Sequence, residues 1–214
     1  MRTPDLLVFS RTTGYRHDSI PAAVAALGEL DFRVHASEDP AVFTGELDRF
    51  AAVVFVSTTG PILDDGQRAG LRRYLLGGGG FAAVHSASNS ETDWPFFRGL
   101  VGAQFGGHPP WQPGRVVVED RDHPATAHLG AEWNWTDEWY HFPVNPRPRV
   151  RVLLRVDEAS YEGGAMGADH PVAWCHEYAG VRCFYTSLGH ATEAYADPAF
   201  RAHLAGGIRS VTSV

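Results

Sequence analysis

The sequence has 214 residues, enough for one large domain, and its 44% hydrophobic content can form a substantial core without disulfides. The 25 acidic residues outnumber the 18 basic residues, all of them arginine, which gives a net charge of −7. An acidic chain without a basic run lacks the electrostatic signature of a nucleic-acid binder or a membrane-surface protein. It also shows neither a signal-peptide pattern nor an apolar run of about 20 residues, so we expect a cytoplasmic protein.

The first hundred residues alternate between short apolar runs and amphipathic segments. The predicted elements are a strand at 6–10, a helix at 19–30, strands at 32–35 and 51–57, a helix at 64–76 and a strand at 81–84. The run at 51–57 is apolar on both faces, as a buried parallel strand requires. Ser19 is expected to cap the first helix, with Pro21 in its first turn. This order predicts an α/β fold with a doubly wound parallel sheet.

Residues 106–148 break this alternation, because they are rich in proline and hold four of the six tryptophans. We interpret them as an irregular or antiparallel excursion that covers the sheet as a cap, within one domain spanning 1–214. Strands are predicted inside and after the excursion at 115–119, 150–156, 172–178 and 180–187. The last helix is predicted at 197–209.

The two cysteines, Cys175 and Cys183, flank a glycine turn. They could face each other across a hairpin, but we expect two buried thiols because disulfides are rare in the cytoplasm. Neither cysteine belongs to a CxxC or CxxH motif, so the sequence gives no support for a structural zinc site.

Polar loops follow four of the predicted strands, at the sheet edge where open α/β folds bind ligands. These loops begin at Arg11, Thr58, His85 and Leu188. Because the strands run in one direction, we expect His17, His85 and His190 to converge on one pocket.

The loop after the first strand holds Arg11, Tyr15, Arg16 and His17. It precedes a helix N-terminus, where backbone N–H groups and the helix dipole favour an anion or a polar oxygen. The two arginines could clamp a carboxylate or phosphate. We expect a binding loop here, the alternative being a solvated arginine pair around a capped turn.

The strand ending at residue 84 turns abruptly at His85-Ser86, as in a nucleophile elbow, although the GxSxG spacing is absent. His85 is either a catalytic or ligating group or a structural histidine under the loop. Ser86 is either a helix cap or a nucleophile, and as a nucleophile it would need His190, oriented by Glu193, within hydrogen-bond reach.

The segment 137–141 packs two acids, two aromatic residues and a histidine together. Strand alternation would place Glu138 and Tyr140 on one side, with Asp137, Trp139 and His141 on the other. Tryptophan rings stack on the apolar face of a sugar while carboxylates accept its hydroxyl hydrogens. The segment is therefore either a sugar-binding wall or an excursion whose tryptophans fill a small core of their own.

No cofactor is indicated with certainty, but 11 histidines are many for this length. Neither HExxH nor HxH spacing occurs, so the short zinc motifs are absent. A site could still assemble from His85, His108, Glu138 and His190. Imidazole and carboxylate ligands with one open position would suit zinc or another divalent ion.

The segments at 8–20, 79–85, 122–124, 137–140, 170–174, 181–190, 198–200 and 206–208 together resemble the ThuA-like (trehalose-utilisation) family. The resemblance implies a flavodoxin-like sheet of the class I glutamine-amidotransferase-like superfamily. In amidotransferases the elbow carries a cysteine, partnered by a histidine and a glutamate. This sequence has His85-Ser86 there, so glutaminase chemistry is not expected, although His190 and Glu193 fall where the partners would lie.

The resemblance implies an enzyme of sugar catabolism, a hydrolase or a lyase or isomerase, that acts on a disaccharide or a 3-keto-sugar. His85, His190 and Glu138 would serve as acid–base or metal-binding groups. The expected substrate contacts are Arg11, Tyr15, Arg16, His17, Ser86, His108, Tyr140 and Glu193. The alternatives are a non-catalytic sugar-binding or regulatory domain and a hydrolase using Ser86, His190 and Glu193.

The expected partners are a small-molecule sugar and a second copy of the chain, with neither nucleic acid nor membrane. We expect a homodimer because Trp111, Trp133, Trp135 and Trp139 imply more aromatic surface than a small excursion could bury.

Overall fold

A computed structural model describes residues 3–212 and places their strands in one nine-stranded sheet. The strands are β1 (Asp5–Phe9), β2 (Arg33–Ser37), β3 (Ala52–Val56), β4 (Gly80–Val84), β5 (Gln112–Val118), β6 (Glu132–Asp137), β7 (Arg151–Asp157), β8 (Pro171–Tyr178) and β9 (Val181–Thr186). The α-helices are α1 (Ile20–Gly28), α2 (Asp65–Leu76), α3 (Pro95–Val101) and α4 (Pro198–Val211). In the described part of the chain, no helix combines the length and the apolar character needed to cross a bilayer.

The strand order is β2-β1-β3-β4-β9-β8-β7-β5-β6. The five strands from β2 to β9 are parallel, and those from β9 to β6 pair antiparallel. The α/β fold with its doubly wound parallel sheet and antiparallel excursion is confirmed. Because directions alternate from β9 onward, β6 runs the same way as β4 and β9. The chain therefore leaves all three of these strands at the same edge of the sheet.

The prediction that the excursion is an irregular cap is wrong. β5 pairs with both β6 and β7, so the excursion lengthens the sheet instead of covering it. Its side chains Val116 and Val118 are buried in the same core as Val156 of β7. Pairing satisfies the backbone groups that β7 would otherwise leave open at an edge.

Helices cover both faces of the sheet, because alternate residues of each buried strand point to opposite sides. Leu6 and Val8 of β1 belong to one core with α1 and α4, whereas Leu7 and Phe9 belong to a second core with α2 and α3. At Gly70, α2 passes so close to the Phe43 carbonyl that no side chain fits between them.

The helix starts follow local sequence to different degrees. The Asp64 side chain accepts the Gln67 N–H, and the Gln67 side-chain oxygen accepts the Asp64 N–H. Helix α2 therefore begins with a capping box. The prediction that Ser19 caps α1 through its side chain is wrong, since Ser19 is itself helical and its hydroxyl has no hydrogen-bond partner within residues 3–212. Helix α3 was not predicted, because its seven residues are too few for a clear periodicity.

Both cysteines are free thiols, but only Cys183 is buried as predicted, because Cys175 is half-buried. In the β8–β9 hairpin Cys183 lies opposite His176, and Cys175 lies opposite Phe184. The two sulfurs are therefore offset along the hairpin instead of directly paired.

Candidate functional site

His85 forms the centre of the site at the edge where β4 ends. Its backbone φ is 55°, in the left-handed region that non-glycine residues rarely adopt. The Tyr185 hydroxyl donates to the His85 carbonyl at 2.9 Å, which supports the turn. His85 Nδ1 lies 2.8 Å from the Ser187 carbonyl, which can only accept, so Nδ1 carries the proton. The lone pair of a neutral His85 is therefore on Nε2, facing the site.

His17 approaches this nitrogen from the loop after β1. His17 Nε2 lies 3.1 Å from His85 Nε2, and the two rings meet edge to face. The Ser86 hydroxyl lies 3.3 Å from His17 Nδ1. Two imidazole nitrogens thus point at one another inside a buried pocket.

Glu138 and His190 complete the cluster. His190 Nδ1 lies 3.1 Å from Glu138 Oε2, and the same oxygen is 3.7 Å from His85 Nε2. The His190 nitrogen is buried, and its contact with Glu138 becomes an ion pair when His190 is protonated. Ring centroids of His190 lie 5.3 Å from His17 and 5.4 Å from His85, which confirms the predicted convergence of these three histidines.

Asp137 holds the backbone of the His190 loop. It accepts the Gly189 N–H at 2.8 Å and the His190 N–H at 3.2 Å. The Trp135 indole N–H also donates to Asp137, at 2.8 Å. Burial raises the pKa of Asp137 to about 6, although these three bonds and the Glu138 N–H oppose the shift.

Tyr140 and His108 lie beside the cluster. The Tyr140 hydroxyl is 2.8 Å from His85 Nε2, and burial raises its pKa well above the ordinary value, so it stays protonated. His108 Nε2 is 3.6 Å from Glu138 Oε1, on a one-third exposed side chain. As strand alternation predicts, Glu138 and Tyr140 face the site while Trp139 packs away from it in a core.

The electrostatic environment separates the histidines into two kinds. Burial, with repulsion from His190, lowers the pKa of His17 to about 4. Burial also lowers the pKa of His85 well below its ordinary range. The contact with Glu138 raises the pKa of His190 despite partial burial. The pKa of Glu138 is lowered, because His190 and the other nearby histidines outweigh the effect of burial.

This arrangement fits a divalent metal ion. One ligand atom from each of His17, His85, Glu138 and His190 lies within 4.8 Å of the other three. Neutral His17 and His85 offer lone pairs, Glu138 is ionised, and deprotonation of His190 would free its Nδ1 as a fourth ligand. Imidazole with one carboxylate suits zinc and related ions.

The cluster differs from the predicted ligand set in one residue. His17 joins His85, Glu138 and His190, whereas His108 lies on the rim next to Glu138. No short ligand spacing marked His17 as a ligand. Its place in the loop after β1, at the same edge as His85, was the available signal.

The structure does not assemble a Ser86–His190–Glu193 arrangement. The ring beside the Ser86 hydroxyl is that of His17, and the acidic partner of His190 is Glu138. Glu193 is exposed and lines a neighbouring cleft. Ser86 also caps no helix, because the short 3-10 turn His85–Asn89 has no side-chain cap.

The first loop contributes less than predicted. Arg16 forms two hydrogen bonds with Glu38, at 2.6 and 3.1 Å, and so is already occupied. Arg11 is half-buried, with no ion pair among residues 3–212. Tyr15 is 67% exposed, and its ring lies 4.8 Å from that of His17. Tyr15 and His17 are therefore the members of this loop that reach the cluster.

Fold and site together define an α/β protein with a nine-stranded sheet and a histidine–carboxylate cluster at the edge where its parallel strands end. The ThuA family model, described as trehalose utilisation, matches residues 5–210. The chain belongs to the ThuA family, and this membership relates it to sugar utilisation.

Similar solved structures agree with this fold. A protein of Bacteroides uniformis called ThuA-like is 24% identical, with a TM-score of 0.82 over 99% of this chain and 93% of that one. A protein of Parabacteroides merdae, also called ThuA-like, is 18% identical, with a TM-score of 0.79 over 97% and 89%. A Thermoplasma acidophilum protein described as one chain of a GMP synthase is 13% identical, with a TM-score of 0.60 over 96% and 94%. No curated protein matches the sequence.

Proposed function

We propose that this chain is a metal-dependent enzyme of sugar utilisation that acts on a disaccharide or a 3-keto-sugar. The observation that supports it best is the buried cluster of His17, His85, Glu138 and His190, whose ligand atoms lie within 4.8 Å of one another. Family membership supports the sugar substrate.

The chemistry of a keto-sugar matches such a centre. A carbonyl next to a hydroxyl presents two oxygens to one ion. A divalent ion held by His17, His85, Glu138 and His190 would polarise a carbonyl or hydroxyl oxygen and favour loss of a proton from the neighbouring position.

The chain's own residues would handle protons around the substrate. Tyr140 keeps its hydroxyl proton, because burial raises its pKa, and can donate it to a substrate oxygen. His108 is one-third exposed on the rim, 3.6 Å from Glu138, where it can hydrogen-bond a substrate oxygen. Asp137 would fix the position of His190 through two backbone bonds without touching the substrate.

The first prediction compares the two residues of the elbow. His85→Ala should lower turnover of trehalose or its 3-keto derivative about 10²–10⁴-fold. It should also lose bound metal, measured by elemental analysis of the purified protein. Ser86→Ala should lose less turnover, about 10–100-fold at most, and retain more metal than His85→Ala, because Ser86 only contacts the back of His17.

Full metal content in His85→Ala, or a greater loss of turnover in Ser86→Ala, would contradict the proposal. A parent protein that binds these sugars but turns over none would favour the non-catalytic alternative.

A further inference from the structure

A cleft of about 570 Å³ lies beside the histidine cluster. It opens between the β5–β6 hairpin and the loop that follows His190. Its volume is within the range of about 300–1,000 Å³ typical of small-molecule sites. Residues that line it include Trp111, Asn134, Trp135, Ala191, Glu193 and Asp197. We call it the tryptophan cleft.

The two tryptophans give the cleft an aromatic surface. Trp111 is 53% exposed, an unusual position for so large an apolar ring. Trp135 is half-buried, and its ring is held in place against Trp133 and Phe200. An exposed ring and the uncovered part of a rigid, half-buried ring thus line the same cleft.

The charges of the tryptophan cleft select against an anion. Its one cation among the described residues, Arg115, is already paired with Asp157 and Glu132. The carboxylates of Glu193 and Asp197 line the same space, and Glu193 forms no ion pair within residues 3–212. A phosphorylated or acidic ligand would meet negative charge without a free cation to balance it. A neutral ligand with many hydroxyl groups would instead find hydrogen-bond acceptors.

The cleft is connected to the cluster through covalent and hydrogen-bonded neighbours. Ala191 and Glu193 follow directly on the loop that carries His190. Trp135 donates to Asp137, which in turn holds the His190 backbone. A ligand against Trp135 would therefore lie next to the group that positions one of the candidate metal ligands.

We propose that the tryptophan cleft is the subsite for a neutral sugar ring of the substrate, adjacent to the metal centre. This inference rests on the proposed function, since it assigns one glycosyl unit of a disaccharide to the cleft. The apolar face of the ring packs on Trp111 and Trp135, and its hydroxyls donate to Glu193 and Asp197.

Calorimetric titrations with trehalose, glucose and glucose 6-phosphate test the subsite directly. Trp111→Ala should weaken trehalose binding about tenfold, as for a central aromatic contact. Leu76→Ala is the matched control, because Leu76 is 50% exposed on α2, away from the cleft. It should leave binding unchanged. Glucose 6-phosphate should bind no more tightly than glucose.

The subsite is overturned by an unchanged trehalose Kd in Trp111→Ala, by tighter binding of the phosphate, or by no sugar binding to the parent. Kinetics then separate this failure from failure of the proposed function. If His85→Ala abolishes turnover while Trp111→Ala leaves KM and Kd unchanged, the proposed enzyme function is supported and the subsite is excluded. If the parent binds sugar without turning it over and Trp111→Ala weakens that binding, the subsite is supported and the proposed enzyme function is excluded.

Discussion

At the scale of single residues, His85 combines a strained backbone with a buried ring. A φ of 55° crowds the Cβ of any L-residue, at a cost of roughly 1–2 kcal/mol. The surroundings that hold it are the Tyr185 hydroxyl on its carbonyl and the Ser187 carbonyl on its ring. The turn places Nε2 in the site, 3.1 Å from His17 Nε2 and 3.7 Å from Glu138 Oε2.

This strain predicts a difference between two variants that both lack the imidazole. His85→Gly should have a free energy of unfolding about 1 kcal/mol larger than His85→Ala, because glycine adopts the left-handed region without strain. Urea unfolding of the two proteins measures the difference, and both should lack bound metal. Equal stabilities would mean that the turn carries no strain for alanine.

His203 predicts how stability depends on pH. It is fully buried in α4, and burial lowers its pKa to about 4 from an ordinary 6.5. The unfolded chain therefore binds more protons than the folded chain between pH 6.5 and 4. Stability should fall as the pH is lowered through this window, by about 3 kcal/mol from this residue.

His203→Gln removes this titration and is the test variant. His203 Nδ1 donates to the Ala125 carbonyl, and the glutamine amide can supply a similar donor. Other buried histidines, such as His123, act in the same direction, so the slope should become smaller but not vanish. An unchanged slope of unfolding free energy against pH from 6.5 to 4 would contradict the assignment.

At the scale of elements, α2 depends on the absence of a side chain at Gly70. A Cβ there would collide with the Phe43 carbonyl oxygen, which is backbone and cannot turn aside. Gly70→Ala should therefore lower the free energy of unfolding by about 3 kcal/mol. Thermal unfolding measures the change.

Gly28→Ala is the matched control. Gly28 is also helical, at the end of α1, but nothing lies within 4 Å of its Cβ position. This variant should be neutral or about 0.5–1 kcal/mol more stable. If both variants behave alike, the contact between α2 and Phe43 does not limit stability.

The elements differed in how well their sequence could predict them. Strands such as β3 were predictable, because a short apolar run between polar loops is typical of a buried parallel strand. The pairing of β5 with β7 was not, because it joins segments about forty residues apart and no local pattern encodes the partner. For the site, by contrast, the strand pattern was enough to place His85 and His190 at one edge of the sheet. The contact between His17 and His85 depends on how two loops fold over that edge.

At the scale of the whole molecule, the dimer stays a prediction. Trp139 is completely buried, and Trp133 and Trp135 pack on the core, so Trp111 is the one large exposed ring among the four tryptophans. We expect light scattering at micromolar concentration to report twice the mass of 23.4 kDa. A single-chain mass would contradict the dimer.

The position of β9 has a consequence for biosynthesis. It is the last strand in chain order, yet it lies in the middle of the sheet between β4 and β8. Until residues 181–186 leave the ribosome, β4 exposes an open edge. The strands from β5 to β8 then have no hydrogen-bonded pairing with the parallel strands. Open edges of this kind invite pairing between nascent chains. The same late strand carries His190 into place, so the cluster of His17, His85, Glu138 and His190 can assemble only after residue 190 has been synthesised.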